Sequence, residues 1–170
     1  MQGRAKLFGH AIHPMLIPFP LGLLVTSFVF DLVYLLTGSE AWAGVAFWMI
    51  AAGVIGGLVA AVFGIIDFTR VPDETRAHSV GVWHAVFSVS MVVLFAVSWW
   101  LRLGAPTKPG AIPIILSALG AALAVLTGWF GGELVERLGV GVYEGAHLNA
   151  PSSLSGRPAS EGSTDEHRGE

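Results

Sequence analysis

The chain has 170 residues, 12% of them charged and 54% hydrophobic, with a formal net charge of −3 and no cysteine. A soluble domain carries about 25% charged residues, so a water-facing globular surface cannot be drawn from this composition, and its hydrophobicity excludes disorder over most of the length. No basic block is present, so nucleic acid is not an expected partner; without cysteine there is no thiol catalysis, disulfide, or cysteine-ligated zinc or iron–sulfur cluster.

The apolar residues fall into four stretches, at about 15–37, 42–66, 80–101 and 111–131. Each approaches or exceeds the roughly 20 residues that a helix needs to cross the hydrocarbon core. The first follows Arg4 and Lys6 but is too long for a signal peptide and lacks a small-x-small cleavage site, so it reads as a retained helix. Pro14, Pro18 and Pro20 crowd its start, which predicts an irregular first turn with carbonyls freed near His10 and His13. The second stretch carries Gly53, Gly57 and Ala61 at four-residue spacing, and the fourth carries Gly120, Ala124 and Gly128. Small residues let helices approach closely in lipid, so these two helices are expected at the tight centre. The run Gly128–Glu133 is expected to terminate the fourth helix. From Asn149 the composition turns to Ser, Gly, Pro, Glu and Arg, with Leu154 the one large apolar residue. The predicted fold is all-α: an integral membrane four-helix bundle over residues 1–148, then a disordered polar tail over 149–170.

Lys and Arg in short flanks set orientation. Arg4, Lys6, Arg70, Arg76 and Arg137 lie on the side of the termini, against Arg102 and Lys108 on the other. Both termini are therefore expected in the cytoplasm, with the chain in the cytoplasmic (inner) membrane. Ionisable residues within spans are functional candidates by default. His13 opens the first span, Asp67 closes the second, His84 lies one turn inside the third, and Glu133 follows the fourth. Because alternate helices reverse direction, all four arrive at the cytoplasmic face. The histidines are 71 positions apart and the acids 66, which raises a pseudo-two-fold relation between the two hairpins. Two histidines across a bundle suit the two faces of a haem, and histidines with carboxylates suit a metal ion. The expected sites are His13 and His84 for a cofactor, or His13, Asp67, His84 and Glu133 for a metal. Structurally, Asp67 would pair with Arg70 and Glu133 with Arg137. Asp31 lies deep in the first span with no positive partner within a turn, so it is expected to hydrogen-bond locally, to Ser27 or Tyr34, or across to another helix. No catalytic motif is found, so enzymatic activity is not assigned.

The segment Gly9–Gly22, reading GHAIHPMLIPFPLG, resembles the start of a bacterial membrane family catalogued as domain of unknown function 2231. Further matches are Phe30-Asp31-Leu32, Gly64-Ile65-Ile66-Asp67, His84, and Gly128–Val135 continuing to Gly139–Val142. Where that family often carries an Asn after the histidine, this chain has Phe87 and Ser88. The resemblance implies a four-helix membrane domain without an established activity. Some members are joined to a Rieske-type domain, which implies electron transfer, and the short tail here lacks the ligands of such a domain. The expectation is a multi-pass membrane protein that binds a haem or metal near the cytoplasmic face in electron transfer. Its partners would be the lipid bilayer and a redox protein or other membrane subunits. The alternative is a cofactor-free structural or partner-binding membrane module.

Overall fold

A computed structural model describes residues 3–162. A short antiparallel hairpin opens the chain, β1 (Lys6–Leu7) against β2 (His10–Ala11), with Lys6 opposite Ala11 and Leu7 opposite His10. Its two-residue turn, Phe8-Gly9, has positive φ at both positions, 49° and 84°, the handedness that matches strand twist in tight hairpins. The first span is a helix in two pieces, α1 (Ile12–Leu16) and α2 (Pro18–Thr37). The interruption falls at Ile17, where Pro18 and Pro20 contribute no N–H to the carbonyls one turn back.

Three long helices follow: α3 (Glu40–Phe68), α4 (Arg76–Leu101) and α5 (Ala111–Gly132). With α1–α2, they give four segments long and apolar enough to cross a membrane. They start and stop slightly outside the apolar stretches, because a helix continues until something caps it. Thr75 does this for α4, its hydroxyl accepting from the His78 N–H at 3.1 Å. The glycine run does not end α5. Gly128, Gly131 and Gly132 are helical, and the chain passes through them into one π-helical turn, Glu133–Arg137, closed by Leu138 N–H donating to Glu133 O. The left-handed residues come later, at Gly139 and Gly141.

The helices pair as two hairpins, α2 with α3 and α4 with α5, and α3–α4 and α2–α5 contacts close the square. The second and fourth spans thus stand diagonally, and the small-residue stripes receive their own hairpin partners. A Cβ on Gly53 would lie 2.7 Å from the Leu24 side chain, and one on Gly120 would lie 2.7 Å from Phe95. The core is built on these contacts, with Leu24, Ile50, Met91, Phe95 and Ala124 buried together. After the π turn, residues 138–162 hold no helix or strand and run as successive turns over the terminal face. There the Tyr143 hydroxyl donates to Gly9 O, and Ser153 Oγ donates to Phe8 O at 3.1 Å. The remainder of the polar tail, 163–170, lies outside the described residues.

Candidate functional site

Four sequence candidates reach the face of the termini, and two of them meet. The His13 ring, at the start of the broken first span, and the His84 ring, on α4, lie with their centroids 6.4 Å apart and their planes at 89°. Each is anchored to the second helix of its own hairpin. His13 Nδ1 is 2.8 Å from Ala60 O on α3, and His84 Nδ1 is 3.1 Å from Thr127 O on α5. A carbonyl can only accept, so in both neutral rings Nδ1 carries the proton and Nε2 keeps its lone pair. Neither Nε2 has a hydrogen-bond partner among the described residues. Glycine makes this approach possible. A Cβ on Gly64 would come within 2.9 Å of the His13 ring, and one on Gly131 within 3.4 Å of His84. Beside them, Thr127 is 7% exposed and its buried Oγ1 has no hydrogen-bond partner among the described residues.

The carboxylates stand apart from this pair. Asp67 Oδ1 accepts from the backbone N–H of Arg4 at 2.6 Å and of Ala5 at 3.1 Å, so it ties the N-terminal segment to the end of α3 instead of pairing with Arg70. Glu133 forms an ion pair with Arg76, across to the start of α4, instead of Arg137. Among the described residues, no three His, Asp or Glu side chains come together as a metal-ligand set. A cavity of about 580 Å³ beside α1 is lined by His10, Met15, Tyr143 and Arg157. Its Arg157 is held in a fork by Glu161 at 2.8 and 2.7 Å, which keeps that carboxyl below the usual carboxylate range.

At the opposite end lies a cluster that local spacing does not reveal. Asp31 is fully buried, and so is its partner Arg102, just past α4. The guanidinium donates from Nη1 and Nη2 to the two carboxylate oxygens, each at 2.7 Å. Its Nη2 also donates to Ser117 Oγ at 3.1 Å, and its Nε donates to Ser98 Oγ at 3.3 Å. Ser98 in turn donates to Pro113 O. Ser27 donates to Leu24 O and takes no part. Arg102 is a loop charge by sequence, but it folds back into the bundle because Asp31 would otherwise be an unpaired charge in an apolar interior.

Residues 9–144 match the family described as "Predicted membrane protein (DUF2231)". The chain belongs to that family. None of the curated proteins and none of the solved structures compared with it matches. Within this DUF2231 chain, the motifs Gly9–Gly22 and Gly128–Val135 each touch one half of the histidine pair. The first contains His13; the second contains Gly131 and immediately follows Thr127. The motif segment Gly64–Asp67 supplies the glycine beneath His13 and the carboxylate that binds the N-terminal segment.

Proposed function

We propose that His13 and His84 of this DUF2231 protein would hold a haem near the cytoplasmic face of the inner membrane, and that the bound group would supply one-electron transfer. Residues 1–148 form the membrane domain on this reading, and 149–170 a polar extension. The carrying observation is the pair of imidazoles, each fixed through Nδ1 and each offering Nε2, with centroids 6.4 Å apart. That separation is within the reach of one metal centre that both rings would bind at about 2 Å. The hydrogen bonds to Ala60 O and Thr127 O set ring orientation and raise ligand basicity, as outer partners of metal-bound histidines do.

Charge favours haem over a bare ion. Imidazoles bind a metal as neutral ligands, and Asp67 and Glu133 are engaged elsewhere. A dication held by two neutral ligands at the end of an apolar bundle would be uncompensated. Haem brings its own two negative charges and supplies one-electron chemistry when bound. Gly64 and Gly131 keep bare backbone against the rings, and Thr127 Oγ1 offers an unspent hydrogen bond beside His84. The orientation rests on Arg4, Lys6, Arg70, Arg76 and Arg137. With Arg102 withdrawn into the bundle, Lys108 is the one basic side chain left facing out of the opposite loops. A redox protein or further membrane subunits would deliver or receive the electron.

The second reading, a cofactor-free membrane module, is favoured by the protein partners that all four site candidates possess. Oxidised and reduced absorption spectra and metal content of the detergent-purified protein separate the two. A Soret band that His13→Ala and His84→Ala each abolish or shift is expected. Absence of both haem and stoichiometric metal from protein expressed with ample haem overturns the proposal.

A further inference from the structure

The buried residues of α2 are Pro20, Leu24, Ser27 and Asp31. The residues 71 positions further on, Met91, Phe95, Ser98 and Arg102, are buried too. His13 and His84 stand at the same offset of 71. For the second helix of each hairpin the offset is 67. Ala46, Phe47, Ile50, Gly53 and Ala60 of α3 then correspond to Pro113, Ile114, Ser117, Gly120 and Thr127 of α5, and all ten are buried. Contacts obey the same two constants. Leu24 meets Gly53 as Phe95 meets Gly120, and His13 meets Gly64 as His84 meets Gly131. His13 donates to Ala60 O as His84 donates to Thr127 O. Asp67 and Glu133, 66 apart, fall one residue out of this register and are not equivalents.

Along the diagonal between α2 and α4, equivalent residues therefore face each other across an axis. At the terminal face they are alike, His13 and His84. At the other end they are opposite, Asp31 and Arg102. Two copies of the first hairpin would set aspartate against aspartate there, and two copies of the second would set arginine against arginine. Each would be a buried pair of like charges, which is how polar groups reject wrong partners.

We infer that the chain is one histidine-bearing hairpin used twice around an axis, and that Asp31 with Arg102 restricts the pairing to one first and one second hairpin. This stands apart from the haem reading and does not rest on it. The surroundings have diverged: Arg102 also uses Ser117, whose equivalent on α3 is Ile50, and Ser98, whose equivalent Ser27 bonds Leu24 O instead.

The test exchanges equivalent residues in the full chain and follows the monodisperse peak and the melting of helix in detergent. Asp31→Arg alone and Arg102→Asp alone each abolish the monodisperse peak. The two together recover it, and adding Ile50→Ser with Ser117→Ile raises the melting temperature of the exchanged protein further. The neutral pair Asp31→Asn with Arg102→Gln keeps the shape without the charge, and it shifts protein into larger assemblies relative to the parent. The inference is overturned if the double exchange is no better than either single, if the fourfold exchange melts no higher than the double, or if the neutral pair assembles as the parent does.

Discussion

The two ends of this bundle solve the same geometric problem in opposite ways. At each, side chains from equivalent positions of the first and third spans meet across the diagonal. Asp31 and Arg102 satisfy each other: both carboxylate oxygens are taken, and the guanidinium spends its remaining directions on Ser98 and Ser117. His13 and His84 cannot do so, because each has already given its one proton to a carbonyl of its own hairpin. The two rings lie 6.4 Å apart, and no hydrogen bond to either Nε2 is found among the described residues. An ion pair of opposite charge closes an interior, whereas two like imidazoles leave an acceptor on each ring. The histidine end is accordingly the site proposed above to bind a cofactor, and the Asp31–Arg102 pair is the proposed lock.

The largest effect should come from breaking the lock. Removing one member of a buried ion pair costs about 3–5 kcal/mol, so Arg102→Ala should strip the protein of its cooperative melting in detergent. His84→Ala removes one hydrogen bond from a partly exposed ring, for which about 1 kcal/mol is expected. Its melting should shift by only a few degrees, while any bound chromophore is lost. A melting curve for His84→Ala as damaged as that of Arg102→Ala would erase the distinction between the two ends.

A smaller effect tests whether the two halves of the histidine end are equally tight. A methyl on Gly64 would sit 2.9 Å from His13 and force the ring aside; on Gly131 it would sit 3.4 Å from His84, close to ordinary contact. Overpacking of the first kind costs about 1–3 kcal/mol. Gly64→Ala should therefore lower the melting temperature and disturb the His13 imidazole resonance, and Gly131→Ala should leave its counterpart nearly unmoved. Equal responses would mean that the first half is no tighter than the second.

The four spans are legible in the sequence because burial in lipid requires long apolar runs, and the histidines because depth along reversing helices places them at one face. The partners are harder to read. Asp31 looks unpaired when only neighbours within a turn are considered, and Arg102 looks like a flanking charge. Their shared offset of 71 with His13/His84 and with Ser27/Ser98 is the signal that joins them. The second helices hide their relation because their offset is 67 and few identities survive, chiefly Gly53/Gly120 and Phe63-Gly64 against Phe130-Gly131. A one-residue difference explains why the acids mislead. Spacing alone aligns Asp67 with Glu133, but α3 and α5 are registered one residue differently, and each acid serves a local connection. The glycines of α5 mislead because a residue suited to ending a helix can also stand inside one: Gly128, Gly131 and Gly132 are all helical, and Gly131 lies against the His84 ring.

The smallest expected effect bears on what the histidine end binds. Glu133 is mostly buried at its carboxylate while its partner Arg76 is mostly exposed, and such pairs contribute about 0–1 kcal/mol. Glu133→Gln keeps the shape, removes the charge and should move the melting temperature by no more than a few degrees. If the site is a four-residue metal set, that substitution removes an anionic ligand, and metal content should fall with it. If the ligands are the two imidazoles alone, metal or haem content and the oxidised and reduced spectra should match those of the parent. The Glu133 carboxylate is already committed to Arg76, and two neutral nitrogens suit a cofactor that carries its own negative charge. Unchanged spectra are therefore the expected result, and a loss of metal from Glu133→Gln would move the assignment from haem to an ion.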